Sequence, residues 1–358
     1  MKPIVITGGA GFIGTNLAHR LLSHGQPVVV YDNLSRPGVE RNLRWLTATH
    51  GSQVRVEIAD VRDGAALGRV LTRASAVFHL AAQTAVTTSL TDPDRDFDVN
   101  ARGTLNLLEV LRTCPKPPML LYTSTNKVYG DLNDVGLQVV GSQYTPVDAA
   151  LLRDGISEAR PLDFHTPYGC SKGTADQYVL EYARSYGLPA CVFRMSCIYG
   201  PHQLGTEDQG WVAHFVRSAL ESRAIRIYGD GMQVRDLLFV EDLVDAMLLA
   251  REHIERCAGQ AFNIGGGTAR AASLLDVLEQ LRRVHGNCDV HFDAWRPSDQ
   301  RYYVSNTQKY QLATGWAPRV SVERGIAQLY AWAAEDRTRA SRASARSAAP
   351  ESARNQAS

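Results

Sequence analysis

A tyrosine and a lysine four residues apart, in Tyr168-Gly169-Cys170-Ser171-Lys172, share one face of a helix. There the ammonium favours the charged form of the phenol and lowers its pKa. A phenolate near neutral pH can take the proton of a sugar hydroxyl while hydride leaves the same carbon. Thr125 stands just ahead of Asn126-Lys127-Val128-Tyr129-Gly130. Its hydroxyl can bond the same substrate hydroxyl; capping of the following turn is the other use of a threonine at a strand end. Tyr-x-x-x-Lys is common by itself, and its weight here comes from the opening of the chain.

Residues 2–7 read as a short buried strand, and Gly8-Gly9-Ala10-Gly11-Phe12-Ile13-Gly14 follows at once. Ile13, Leu17 and Leu21 then recur at helical spacing, and Gly25 closes that helix. A second strand, 27–32, ends in Asp32. Gly8 permits a tight turn, Gly11 admits a pyrophosphate to the backbone, and Gly14 lets helix and strand pack closely. The helix N-terminus offers free N–H groups to phosphates. Asp32 lies 18 residues beyond Gly14, where a carboxylate accepts adenosine ribose hydroxyls. The expected cofactor is NAD, since Asp32 repels a 2′-phosphate; Arg36 nearby is the residue that could accommodate one, or is a solvated loop charge.

These residues need a frame. Strands are expected at 3–7, 27–32, 54–58, 76–80, 119–124 and 190–194, and helices at 12–23, 64–73, 94–113, 168–186 and 211–223. The alternation implies an α/β fold, a Rossmann doubly wound parallel sheet with ligands beyond the carboxyl ends of its strands. Thr125, Asp60 and Leu80-Ala81-Ala82 follow such ends. After residue 197 short strands (225–228, 236–239, 261–264, 289–292) mix with helices near 241–253, 273–285 and 321–336. Ser273 and Asp276 form a capping-box pattern, and Gly265-Gly266-Gly267 reads as a plain turn. The expected division is an NAD-binding domain over 1–196, a mainly substrate-binding C-terminal lobe over 197–336 and a disordered tail over 337–358. The long aperiodic stretch 130–166 reads as a lid or binding loop.

The chain has 358 residues, 44% of them hydrophobic, enough for a sizeable core. A net charge of +1 argues against a nucleic-acid surface. The tail carries five arginines against one glutamate and no large apolar residue, hence the expected disorder. Cys114, Cys170, Cys191, Cys197, Cys257 and Cys288 are scattered without a Cys-x-x-Cys, so buried free thiols are expected, with no disulfide framework and no metal site. Cys170 reads as a packing residue because no base adjoins it. The chain opens directly on a strand and has no membrane-length apolar run, so no signal peptide, no membrane partner and a cytoplasmic location are expected.

With these motifs the chain from Lys2 to about Trp332 resembles the extended short-chain dehydrogenase/reductase family of nucleotide-sugar enzymes. The resemblance implies Thr125, Tyr168 and Lys172 as catalytic residues. It implies NAD contacts from Gly8, Gly11, Phe12, Ile13, Gly14, Asp32, Asn33, Asp60, Val61, Leu80, Ala81, Ala82 and Asn100, besides Tyr168 and Lys172. Substrate contacts are implied for Asn126, Lys127, His165, Cys197, Arg235 and Arg301, with the two arginines on the diphosphate or nucleotide; for His165 a loop role with satisfied hydrogen bonds is the alternative. Relatives that eliminate water carry an Asp-Glu pair after the threonine; Asn126-Lys127 points instead to epimerisation. Tyr31-Asp32-Asn33-Leu34-Ser35-Arg36-Pro37-Gly38, Asp208-Gln209-Gly210-Trp211 and Gln233-Val234-Arg235-Asp236 resemble, more narrowly, enzymes that epimerise C2 of a CDP-linked 3,6-dideoxyhexose. Two departures stand out: Cys197 occupies a frequent asparagine position, and Asn306 a frequent aspartate position.

The alternatives are a UDP-hexose 4-epimerase, another nucleotide-deoxysugar epimerase or dehydratase, and a non-catalytic NAD-sensing scaffold. The family also implies a homo-oligomer, dimer or tetramer, built through helices such as 94–113 and 168–186.

Overall fold

Ile4-Val5-Ile6 and Val28-Val29-Val30 are continuous β-branched runs without polar alternation, the pattern of strands covered on both faces. The computed structural model, which describes residues 1–296 and 298–348, places them side by side within a seven-stranded sheet, neither at its edge. Its members are β1 (Ile4–Thr7), β2 (Val28–Asp32), β3 (Val54–Ile58), β4 (Ala76–His79), β5 (Met119–Thr125), Ala190–Met195 and Ala261–Ile264. The order across the sheet is β3, β2, β1, β4, β5 and then the last two, all parallel. The order therefore reverses between β1 and β4, and that crevice is where a doubly wound sheet binds its ligand.

Successive side chains of a strand point to opposite faces, so β1 feeds two cores. Ile4 and Ile6 join Leu17, Phe78, Leu121 and Phe193 on one face. Val5 joins Val29, Leu67, Leu107, Tyr122 and Val179 on the other. Helix Phe12–Ser23 packs on the first face and helix Thr166–Tyr186 on the second.

The smaller body centres on strand Val234–Phe239, paired with Cys197–Tyr199, Ala271–Ser273 and Tyr302–Tyr303. Its own core holds Phe215, Ile225, Leu237, Leu278 and Ile326. The expected capping box is present: Ser273 accepts from the Asp276 N–H, and Asp276 from the Ser273 N–H.

Several expectations differ from the structure. Ala261–Ile264 belongs to the large sheet, not the lobe, and helix Val240–Glu252 contributes Leu243 and Met247 to the first core. The chain therefore crosses back after 197, and no single cut separates the two bodies. The segment 130–166 is structured: a hairpin, Leu137–Val140 with Gln143–Pro146, and a short helix, Ala149–Asp154. Its tip is tied to the lobe, where Asp276 accepts from Ser142 and Gln143, each at 2.6 Å. The helix expected over 94–113 is interrupted by a π-helical turn, Asp98–Arg102. The last helix runs Val322–Ala348, so 337–348 is helical rather than disordered; alanine and arginine are strong helix formers and extend a helix already docked at Ile326 and Leu329. The rest of the expected tail, 349–358, lies outside the described residues. All six cysteines are free, but only Cys191 and Cys257 are buried, and Cys170 is exposed rather than packed. Among the described residues no helix is long and apolar enough to cross a membrane, and no cluster of metal-ligating side chains occurs.

Candidate active site

The glycine turn links β1 to helix Phe12–Ser23. Gly8 has φ +68°, and a Cβ there would stand 2.7 Å from the Ala81 amide nitrogen. A Cβ on Gly14 would collide with the Gly8 carbonyl, whereas one on Gly11 would meet only that carbonyl, at 3.1 Å. The turn is thus closed at Gly8 and Gly14 and open at Gly11. No side chain caps the helix, which leaves its first N–H groups available to an anion. Asp32 stands at the end of β2; its Oδ2 accepts from the Ala10 N–H at 3.0 Å and its Oδ1 from the Leu34 N–H at 2.8 Å. Burial raises the carboxyl pKa, and those two N–H groups pull it back. This donor set and open cradle fit an adenosine diphosphate-ribose.

A single cleft of about 770 Å³ runs from this turn, past Tyr168 and Lys172, to the lobe. Phe12, Ile13, Asn33, Val61, Leu80, Ala81 and Ala82 line the half of it next to the glycine turn. Asp32→Ala is expected to weaken NAD binding about tenfold or more, the loss of a charged hydrogen-bond acceptor; titration calorimetry with NAD checks it, and unchanged affinity removes Asp32 from the site.

Thr125, Tyr168 and Lys172 converge in the middle of the cleft. Thr125 also accepts from the Lys127 N–H at 3.2 Å, so it both caps the next turn and faces the cleft. Lys172 is buried, its Nζ donating to the Thr123 carbonyl at 2.5 Å and standing 4.3 Å from the centre of the Tyr122 ring. Burial lowers its pKa to about 7, against the upward pull of Asp176 and Asp96. Burial pushes Tyr168 up to about 12, Thr125 pulls it back, and Asp96 pushes it further up. The chain group that favours the phenolate in this arrangement is therefore Thr125, not the lysine the spacing suggests.

At the lobe end, Asn126 Nδ2 donates to Gln300 Oε1 at 2.9 Å and Lys127 Nζ to the Ser298 carbonyl at 3.0 Å. Burial, with Arg235 adding to it, lowers Lys127 to about 8, against the upward pull of Asp299 and Asp131. Arg235 Nη2 donates to Asp299 Oδ1 at 2.7 Å. Cys197 lines the wall, but burial pushes its thiol up to about 12, so it offers no thiolate.

Four expected contacts are not on the cleft wall. Asp60 turns to Arg62 and Asn33, which donate to it at 2.8–3.0 Å and hold it near 2. Asn100 is buried behind the wall, where its amide clamps the Gln83 backbone in both directions, at 2.9 and 3.1 Å. His165 lies between Asp131 and Asp163, at 2.9 and 3.1 Å, and its pKa is raised by the first of these. Arg301 is exposed, 5.5 Å from the ring centres of Tyr144 and Trp295, on a neighbouring depression. Arg296, 3.9 Å over the Tyr228 ring, does line the cleft, beside Arg235, and the sequence reading missed it in a segment without periodicity. Ser124 was missed as well: its buried hydroxyl has no hydrogen-bond partner among the described residues, and Ser124 lines the cleft one residue before Thr125. Arg36 reaches Thr84 and Gln209 across the cleft, so its guanidinium joins the two walls.

The chain is 42% identical to CDP-paratose 2-epimerase of Salmonella typhi over 92% of its own length and 98% of that protein's. It is 32% identical to dTDP-glucose 4,6-dehydratase of Shigella flexneri over 92% of each chain. It superposes on the Thermus thermophilus UDP-glucose 4-epimerase solved with NAD at a TM-score of 0.78 and 30% identity, covering 92% of this chain and 98% of that one. The model of the NAD dependent epimerase/dehydratase family matches residues 4–265. The glycine turn, the switch-point cleft and these likenesses agree, and the chain belongs to the NAD dependent epimerase/dehydratase family.

Proposed function

We propose that the protein inverts C2 of a CDP-linked 3,6-dideoxyhexose, converting CDP-paratose to CDP-tyvelose by transient oxidation. The observation that carries this reading is the chemistry beside Thr125. Asn126 and Lys127 line the cleft there, and an amide and an ammonium cannot supply the carboxyl acid that elimination of water requires. Among the described residues the carboxylates on the cleft wall are Asp32, Glu207, Asp208 and Asp299. Asp32 is at the cofactor turn, Asp299 pairs with Arg235, and Glu207 and Asp208 face Arg226 and Arg296. None is free to protonate a leaving hydroxyl beside Tyr168. The 42% identity to a 2-epimerase, against 32% to a dehydratase, supports the same choice.

Bound NAD supplies a hydride acceptor that returns the hydride later. Gly8, Gly11, Gly14 and Asp32 would hold its phosphates and adenosine ribose. Tyr168 takes the proton of the reacting hydroxyl as hydride leaves that carbon, and returns the proton when the other face is reduced. Thr125 orients the hydroxyl. Lys172, with ammonium protons beyond the one given to Thr123, would bind the ribose hydroxyls of the cofactor. Arg235 and Arg296 clamp the diphosphate, a task suited to guanidinium.

The test is incubation with CDP-paratose and NAD in heavy water, followed by NMR. The expected product is inverted at C2, free of deuterium, with no accumulated NADH. Deuterium at C2 or a dehydrated keto sugar would overturn the reading. Interconversion of UDP-glucose and UDP-galactose, with CDP-paratose untouched, would assign the protein to the 4-epimerases.

A further inference from the structure

Ser89 is a fully buried serine that takes no part in the steps above. It lies on the short helix Val86–Thr91, which packs against the Tyr168 helix. Its hydroxyl donates to the Val86 carbonyl at 2.7 Å. That bond uses the one hydroxyl proton and leaves the oxygen free to accept. It accepts from the Tyr168 N–H at 3.2 Å.

The start of the Tyr168 helix needs such a partner, because the first N–H groups of a helix meet no carbonyl within it. Pro167 has no N–H to satisfy, and the Gly169 N–H goes to Thr166 Oγ1 at 3.3 Å. His165, the residue before the helix, offers no side-chain cap. The Tyr168 N–H goes instead to Ser89, 79 positions away along the chain. Thr166, two residues before Tyr168, is held at φ +61°. A β-branched residue is strained there, and such a conformation persists only where its surroundings over-determine it. The helix that carries Ser89 also supplies cleft wall, through Val86, Thr87 and Thr88. The Ser89 hydroxyl thus bonds the backbone of that wall and the backbone of Tyr168 at once.

We propose that Ser89 is a positioning residue of the reaction: by holding the Tyr168 backbone against the helix Val86–Thr91, its hydroxyl sets the phenol at the place in the cleft that proton transfer needs. This rests on the reading of Tyr168 as the proton carrier. A misplacement of about 1 Å can cost on the order of a hundredfold in rate. Ser89→Ala withdraws the hydroxyl from both the Tyr168 N–H and the Val86 carbonyl and removes a single heavy atom. A role in packing alone would lower turnover by the same factor whether or not the phenol is present.

The experiment is a double-mutant cycle of kcat over wild type, Ser89→Ala, Tyr168→Phe and the double variant, with NAD content measured beside it. The substrate is whichever of CDP-paratose and UDP-glucose the wild type turns over, so a failed substrate assignment leaves the cycle intact. Ser89→Ala is expected to lower kcat about tenfold in the wild type and less than about twofold in Tyr168→Phe, where no phenol is left to position, with NAD content unchanged. Ser89→Cys, which fills the same space with a weak acceptor, is the second variant should Ser89→Ala fail to fold. Equal factors in the two backgrounds, or a folded variant with wild-type kcat, overturn the assignment. If Tyr168→Phe itself turns over normally, the reading of Tyr168 falls and takes Ser89 with it; if Tyr168→Phe is slow while the Ser89 variants keep the wild-type rate, only the Ser89 assignment falls.

Discussion

Tyr168→Phe is expected to lower turnover about a thousandfold, in the range that a positioned acid–base group contributes, and to leave bound NAD and melting temperature unchanged. The substitution removes one oxygen and keeps the ring that fills the buried space. It orphans little, because Thr125 keeps the Lys127 N–H as a partner and adjoins Asn126 Oδ1 at 3.3 Å. The start of the helix is held independently, by the Tyr168 N–H donating to Ser89 Oγ at 3.2 Å. A stability effect is therefore not expected to mask the chemical one. The measurement is the initial rate with CDP-paratose beside the NAD released on denaturation. Near-normal turnover with full NAD content would refute the role of the phenol. Loss of NAD with the activity would show instead that the hydroxyl serves cofactor binding.

Legibility in the sequence followed the range of the interactions. The strand runs, the glycine turn, Asp32 and the Tyr168/Lys172 spacing are set by neighbours within one βα unit, and all stand where the sequence places them. Thr125 was readable for the same reason, as a polar residue closing the apolar run of β5. What was not readable depends on partners far along the chain. Asn100 is drawn off the cleft by Gln83 and Ser171, the second of these 71 positions away. His165 has a carboxylate on each side only because the turn at Asp131 folds back beside it. Arg301 and Arg296 are five positions apart in an aperiodic segment, and only the packing of Tyr228 and Asp208 selects Arg296. The hairpin at 137–146 turns on Gly141-Ser142, with Gly141 at φ +60°, a local signal that was readable; what was not readable is its placement, set by Ser142 and Tyr144 bonding Asp276 and Asp230 of the lobe.

The same distinction locates the largest expected effect on stability. Arg194→Met is expected to cost about 3–5 kcal/mol, the range for breaking a buried pair and leaving one charge behind. Arg194 joins three parts of the molecule from its place in the sheet. It forks onto Asp176 of the Tyr168 helix, donates to the Tyr129 hydroxyl at 3.1 Å, and through Tyr129 reaches Asn263 Oδ1 of the seventh strand at 2.7 Å. Asn263 in turn donates to the Ile156 carbonyl at 2.8 Å and so ties down the segment after the hairpin. Asp176 has no exposure, and without Arg194 it keeps a neutral donor, Gln177 Nε2 at 2.9 Å, in place of its cation. Denaturant unfolding at fixed NAD checks the cost. The double variant Asp176→Leu with Arg194→Met should recover most of it, since no charge is then stranded. A single-variant loss below about 1 kcal/mol would show that water reaches the pair. The direction of the catalytic effect is as informative as the size of the structural one. Asp176 already raises the Lys172 pKa and would do so more strongly without Arg194, so the alkaline limb of Arg194→Met should move up.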